Sequence, residues 1–159
     1  MTFVLCLWLW VAPASAQGLF ATSATGEPVD ITANELEVLE QKKQSIFRGD
    51  VVVTQGDMRL RSDHLVVFFD EQNQIRRIEA QGQVELVDPQ RRATGERAVY
   101  DRQEDILQLS GQAVVVQGEN RVAGDEIVLY LGENRSLVRS RDAGRVRAVI
   151  IPEEKTEEP

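Results

Sequence analysis

A stretch of about thirty residues recurs three times in this chain, and a tandem repeat of that length restricts the fold to architectures built by stacking one small unit. The first copy runs from Phe47-Arg48-Gly49-Asp50-Val51-Val52-Val53 to Ser62-Asp63-His64-Leu65-Val66-Val67. The second runs from Ala80-Gln81-Gly82-Gln83-Val84-Glu85-Leu86 to Gly95-Glu96-Arg97-Ala98-Val99-Tyr100. The third runs from Leu109-Ser110-Gly111-Gln112-Ala113-Val114-Val115 to Gly124-Asp125-Glu126-Ile127-Val128-Leu129. Each opens on a glycine and carries a turn former seven positions later: Gly56, Pro89 or Gly118. Each then places a small residue before an acid: Ser62-Asp63, Gly95-Glu96 and Gly124-Asp125. Half-copies flank the three. Ala33-Asn34-Glu35-Leu36-Glu37-Val38 matches the second half of a unit, and Gly144-Arg145-Val146-Arg147-Ala148-Val149 the first half.

Within each unit the apolar residues fall at every second position, which puts them on one face of a strand. Val51 and Val53, Val84 and Leu86, Ala113 and Val115 follow the glycines in this way. In the second halves the series are Leu36, Val38; Leu65, Val67, Phe69; Ala98, Tyr100; and Ile127, Leu129, Leu131. The other face carries Arg48, Asp50, Gln83, Glu85, Gln112, Arg145 and Arg147. That alternation predicts half-buried antiparallel sheet. Glu35 to Gln44 is rich in helix formers, but its match to the strand halves of the other units predicts strand there too. Hairpins stacked in this way build a sandwich, a jelly roll or a β-solenoid.

Catalytic constellations fare poorly. Ser62-Asp63-His64 contains the residue types of a hydrolase triad, but neighbours on a strand point to opposite faces, and the aligned positions read Gly95-Glu96-Arg97 and Gly124-Asp125-Glu126. The common feature is a turn and an acid. His64 is the only histidine, so a zinc site is not expected. Asp63, Glu96 and Asp125 lack the spacing of a calcium-binding solenoid. No Gly-Lys-Ser/Thr follows Gly118 or Gly124 to make a phosphate loop, and no carboxylate pair stands apart from the repeat as a glycosidase would need. The chain is expected to have no catalytic residue, no metal and no cofactor. A net charge of −8 gives no general attraction for nucleic acid. The apolar face is left as either a packed core or the floor of a groove for an apolar ligand.

The N-terminus reads as an export signal. Phe3 to Val11 is a nearly unbroken apolar run, and Ala14-Ser15-Ala16 is a small-x-small cleavage signal, although no Lys or Arg precedes Phe3. Cleavage after Ala16 removes Cys6, the one cysteine, and with it any disulfide or thiolate chemistry. The expected organisation is a signal peptide over 1–16, a flexible segment over 17–28, one domain over 29–151 and a disordered acidic tail over 152–159.

The repeat motifs resemble those of the LptA/OstA-like family of periplasmic lipopolysaccharide-transport bridge proteins. Phe47 to Gly56 resembles one family motif, and Val29-Asp30-Ile31-Thr32-Ala33-Asn34-Glu35-Leu36 its opening strand. Leu109 to Gly118, followed by Asn120-Arg121-Val122-Ala123-Gly124-Asp125-Glu126-Ile127, resembles a third. The likeness spans roughly Val29 to Val149. Asp50 and Gln112 stand where the family usually has Asn, a change expected to touch a turn rather than the groove. The resemblance implies a twisted, partly open, all-β jelly roll. It implies an interior that shields the acyl chains of lipopolysaccharide (the lipid A moiety). The implied partners are transport components of similar fold in the inner and outer membranes, and further copies joined head to tail. On that reading the groove would be lined by Leu36, Val38, Phe47, Val51, Val53, Leu65, Val67, Phe69, Val84, Leu86, Ala98, Tyr100, Leu109, Ala113, Val115, Ile127 and Leu129. Edge pairing would use Ile31, Ala33, Val146, Ala148 and Ile150. The rival expectation is a polymer-forming β-solenoid with a filled core and no ligand.

Overall fold

A computed structural model describes residues 28–133, 135–141 and 144–151. The expected signal peptide, the segment 17–27 and the acidic tail 152–159 lie outside the described residues. The chain forms one meander of antiparallel strands. Six long ones, β3 (Gln44–Gln55), β4 (Met58–Phe69), β5 (Ile75–Val87), β6 (Arg91–Asp101), β7 (Ile106–Gln117) and β8 (Asn120–Tyr130), each pair with the next. Two short strands, β1 (Asp30–Thr32) and β2 (Glu35–Leu39), both pair with β3. Two more, β9 (Arg135–Arg139) and β10 (Arg147–Val149), both pair with β8. The segment rich in helix formers is strand as far as Leu39 and then a single 3-10 turn, Glu40–Lys42, closed by Lys43 at φ 52°. This is an all-β, open antiparallel sheet, within the architectures that the repeat allows, and it is the jelly roll that the family resemblance implies.

The glycine of each repeat is where a long strand bends. Register skips between Arg48 and Val51, between Gln81 and Val84, and between Ser110 and Ala113. At each skip two residues oppose one: Gly49-Asp50 against Asp63, Gly82-Gln83 against Glu96, Gly111-Gln112 against Asp125. Both bulge residues have positive φ, 77° to 79° at the glycines and 44° to 50° at Asp50, Gln83 and Gln112. An extra residue in one strand of a pair kinks it and tightens its twist. Because the bulges align across the sheet, every strand folds at the same level, and the sheet doubles over into two facing halves.

One half contains β2, β9 and the segments Gln44–Arg48, His64–Phe69, Ile75–Gln81, Arg97–Asp101, Ile106–Ser110 and Glu126–Tyr130. The other contains β1, β10 and the remaining segments. The acid of each repeat holds the corner. A methyl group on Gly111 would lie 2.6 Å from Cβ of Glu96, and one on Gly49 would lie 3.1 Å from Cβ of Asn34. The last acid, Asp125, accepts hydrogen bonds from the Ser140 hydroxyl at 2.9 Å and the Arg141 N–H at 2.6 Å. One amide and one hydroxyl donating in this way favour the ionised form. The Asp125 carboxyl is held below the usual carboxylate range, first by the Arg141 amide and then by Ser140. The hairpins turn tightly. Gly56 and Gly118 supply positive φ at two of them, and Asp88 Oδ1 accepts the N–H groups of Gln90 and Arg91 at 2.8 Å to close a third.

Candidate functional site: an apolar interior between two open edges

Cross-strand partners share a face, so the registers spell out what lines the space between the two halves. One row runs Leu36, Phe47, Leu65, Ala80, Ala98, Leu109, Ile127, Val138 through consecutive pairings from β2 to β9. A second runs Val38, Ser45, Val67, Ile78, Tyr100, Leu107, Leu129, Ser136. The facing half contributes Ile31, Val53, Leu60, Leu86, Ala93, Val115, Val122, Ala148. Apart from two serines these rows are apolar from one edge of the sheet to the other.

Of the groove residues expected from the sequence, Val51, Val53, Leu65, Val67, Val84, Leu86, Ala98, Tyr100, Leu109, Ala113 and Ile127 are buried together in one cluster. Phe47, Phe69, Val115 and Leu129 are half-buried against it, as are Ile31 and Ala33 from the expected edge. Leu36 and Val38 are not brought into the cluster. They continue the two rows onto β2 but remain 55% and 58% exposed, because the short edge strand has little sheet opposite it. Val146, Ala148 and Ile150 at the other end are likewise exposed. The sequence reading omitted Leu60, Ala80, Ala93 and Leu107, all buried in the same cluster. Extending the period-two series past Ser62, Gly82, Gly95 and Leu109 would have found them.

The interior is not uniform along its length. Leu65 and Leu109, at 0% exposure, fill the middle. Beside β8 and β9 the halves separate around a cavity of about 320 Å³, at the small end of the range for ligand pockets. Its floor is Ala93, Val115, Val122, Ile127, Leu129, Leu131 and Val138, and its polar rim includes Arg91, Gln117, Asn120 and Ser136. Beside β1 there is only a recess of about 30 Å³, bounded by residues such as Val29, Ile31, Met58, Leu60 and Ile78.

The outer face is polar and cross-linked by charge. Arg48 donates to Glu35 at 3.0 Å and to Glu37 at 2.8 Å, and Arg97 to Glu79 at 2.7 Å. Glu126, buried on this face, accepts from Gln108 Nε2 and lies 3.5 Å from Arg139 and 3.7 Å from Arg141. Ser62 is buried on the inner face, Asp63 is committed to the corner and His64 lies on the outer face, so the three do not converge. No group of three or more potential metal-ligating side chains occurs among the described residues.

A doubled-over open antiparallel sheet with an apolar interior and, among the described residues, an open edge at each end defines the class: an all-β, open jelly roll. The chain belongs to the family described as "LptA/(LptD N-terminal domain) LPS transport protein", whose family model matches residues 30–135. It is 25% identical over 146 residues to the lipopolysaccharide export system protein LptA of Escherichia coli, covering 87% of this chain and 79% of that protein. It is 25% identical over 171 residues to the lipopolysaccharide export system protein LptH of Pseudomonas aeruginosa, covering 98% and 97%. The fold matches the crystal structure of LptH from Pseudomonas aeruginosa with a TM-score of 0.68 at 24% identity, covering 79% of this chain and 96% of that one.

Proposed function

We propose that this chain is a periplasmic carrier that shields the acyl chains of lipopolysaccharide and passes them from the inner towards the outer membrane along copies joined head to tail. The observation that carries the reading is the pair of apolar rows that cross all eight strand positions, widen into a cavity beside β8 and β9, and emerge at the other edge as exposed Leu36 and Val38. Family membership and the names of its relatives supply the cargo.

The physics of transfer supports this. Each methylene taken out of water gains about 0.8 kcal/mol, so an acyl chain of about a dozen carbons is held by on the order of 10 kcal/mol and needs continuous cover. A path of similar stations requires no covalent step, and the energy for direction comes from elsewhere. The joint would form between edges: among the described residues β1 and β2 pair only with β3, and β9 and β10 only with β8. Unpaired edges are templates for another sheet, and two different edges joining make a heterologous contact that propagates.

The close-packed middle favours one alternative, a structural polymer with a filled core and no cargo. Photo-crosslinking decides between them. A crosslinking residue at Val115, Leu129 or Leu86 is expected to capture lipopolysaccharide, and one at Glu85 on the outer face is not. Equal labelling of both faces, or none on either, rejects the carrier and leaves the polymer.

A further inference from the structure

Arg91 breaks the apolar pattern of the inner face. It opens β6 two residues before buried Ala93, so its side chain leaves the strand on the same side, and it lines the cavity between the halves. Its Nε is buried without a hydrogen-bond partner among the described residues. The nearest acid is Asp88, whose Oδ2 stands 3.7 Å away, beyond hydrogen-bond length, while its Oδ1 is taken by the turn amides of Gln90 and Arg91. The Arg91 side chain as a whole is 32% exposed, so part of it reaches water while Nε does not. Here a donor is kept out of water and left unmatched, an arrangement that is unfavourable unless something else supplies the acceptor.

The surroundings supply the rest of a site. Arg91 pairs across the sheet with Gln117, and Gln117 with Asn120, and all three line the rim of the cavity. Arg135 does not join them: it pairs with Tyr130 on the outer face, its guanidinium 3.7 Å from the centre of that ring and its Nε bonded to Glu133 at 2.9 Å. Below these polar groups the floor is aliphatic. A cationic rim above an apolar floor is the complement of an amphiphile with an anionic head. A guanidinium offers the parallel donors that a tetrahedral oxyanion accepts in pairs.

We propose that the rim of this cavity is an anion site that takes a phosphate of an acylated glycolipid while the chains lie on the floor, with Arg91 as its main contact and the Gln117 and Asn120 amides beside it. The proposal rests on the carrier reading above and adds that the headgroup is held by charge at a defined end of the molecule. The same chemistry would suit inorganic phosphate, so the test separates the two sources.

The mature full chain is titrated with phosphorylated lipid A, with the same lipid after phosphatase treatment, and with inorganic phosphate alone. Arg91→Gln is expected to weaken the phosphorylated lipid about tenfold, the factor expected from one charge-assisted hydrogen bond, and to leave the dephosphorylated lipid unchanged. Arg91→Lys, which keeps the charge and loses the fork, falls between. The comparison of two lipids within one variant is insensitive to a general loss of stability, which thermal melts monitor. Equal wild-type affinity for both lipids, or equal weakening of both by Arg91→Gln, overturns the anion site and leaves the carrier intact. Failure of the wild type to bind either lipid overturns the carrier reading, and this site with it. Saturable binding of inorganic phosphate alone that Arg91→Gln abolishes overturns the headgroup assignment in favour of free phosphate.

Discussion

Asp63 lies over Gly82 of the next strand so closely that a methyl group on Gly82 would sit 2.8 Å from both Cβ and Cγ of the aspartate. Gly82 also has φ +79°, a conformation that L side chains rarely adopt. Gly82→Ala should therefore cost both strain and a clash, about 2 kcal/mol or more. Gly118→Ala is the control: its φ is +58° but nothing lies within 4 Å of the added carbon, so strain of about 1 kcal/mol is expected alone. Urea denaturation of the two variants checks the order, and Asp63→Gly should rescue part of the loss at Gly82 only.

Asp50, Gln83 and Gln112 hold positive φ without being glycine. Asparagine tolerates that region better than glutamine does. Gln83→Asn and Gln112→Asn should each raise stability by a few tenths of a kcal/mol to about 1 kcal/mol, read as a shift in the urea midpoint without a change in slope.

The corner that ties β9 to β8 should respond to acid. Asp125 accepts the Arg141 amide and the Ser140 hydroxyl, and its pKa is lowered on folding. A group with a depressed folded pKa contributes stability above its unfolded pKa, and the contribution is lost as pH falls through the folded value. Hydrogen exchange at the Arg141 amide should accelerate as pH drops below the ordinary carboxylate range, after correction for intrinsic exchange. Asp125→Asn should abolish that acid dependence.

His64→Ala should be silent. The side chain is half-buried on the outer face opposite Arg48 and Gln81, away from the apolar rows. A change within about 0.5 kcal/mol in stability is expected, with unaltered lipid binding. Loss of binding in a well-folded variant would reveal a role on the outer face.

The edges should associate selectively. The first edge carries exposed Asp30 and Glu35 and half-buried Glu37, and the last carries exposed Arg139, Arg145 and Arg147. Pairing unlike edges brings opposite charges together, whereas pairing like edges repels. Sedimentation over a wide concentration range should show linear oligomers that weaken as salt is raised. Leu36→Glu should abolish them while the melting temperature stays close to that of the wild type, since Leu36 is already exposed.

Much of this was legible before any coordinates. The repeat gives the strands and the hairpins, because glycine, turn former and acid recur at fixed offsets. The acid's purpose was not legible. Asp63 meets Gly82 and Glu96 meets Gly111, contacts that depend on register between strands and leave no local pattern. Period two identifies a face but not whether anything covers it. That is why Leu36 and Val38 share the inner rows with Phe47 and Val67 and still face solvent. Arg91 escaped notice for a related reason: at a strand end beside a proline turn, a charged residue reads as loop, and its inward direction follows only from its pairing with Gln117.

The row that begins at Leu36 and ends at Val138 also sets a ruler. It advances one strand at a time, about 4.8 Å per step, and so reaches about 34 Å across the sheet. Each thirty-residue unit contributes two strands, so duplication of a unit would lengthen the molecule by about 10 Å and deletion would shorten it by as much. Because every unit carries its own bend and its own acid, the cross-section would not change. The span of such a protein is therefore tuned by counting units, and the interior needs no redesign to follow.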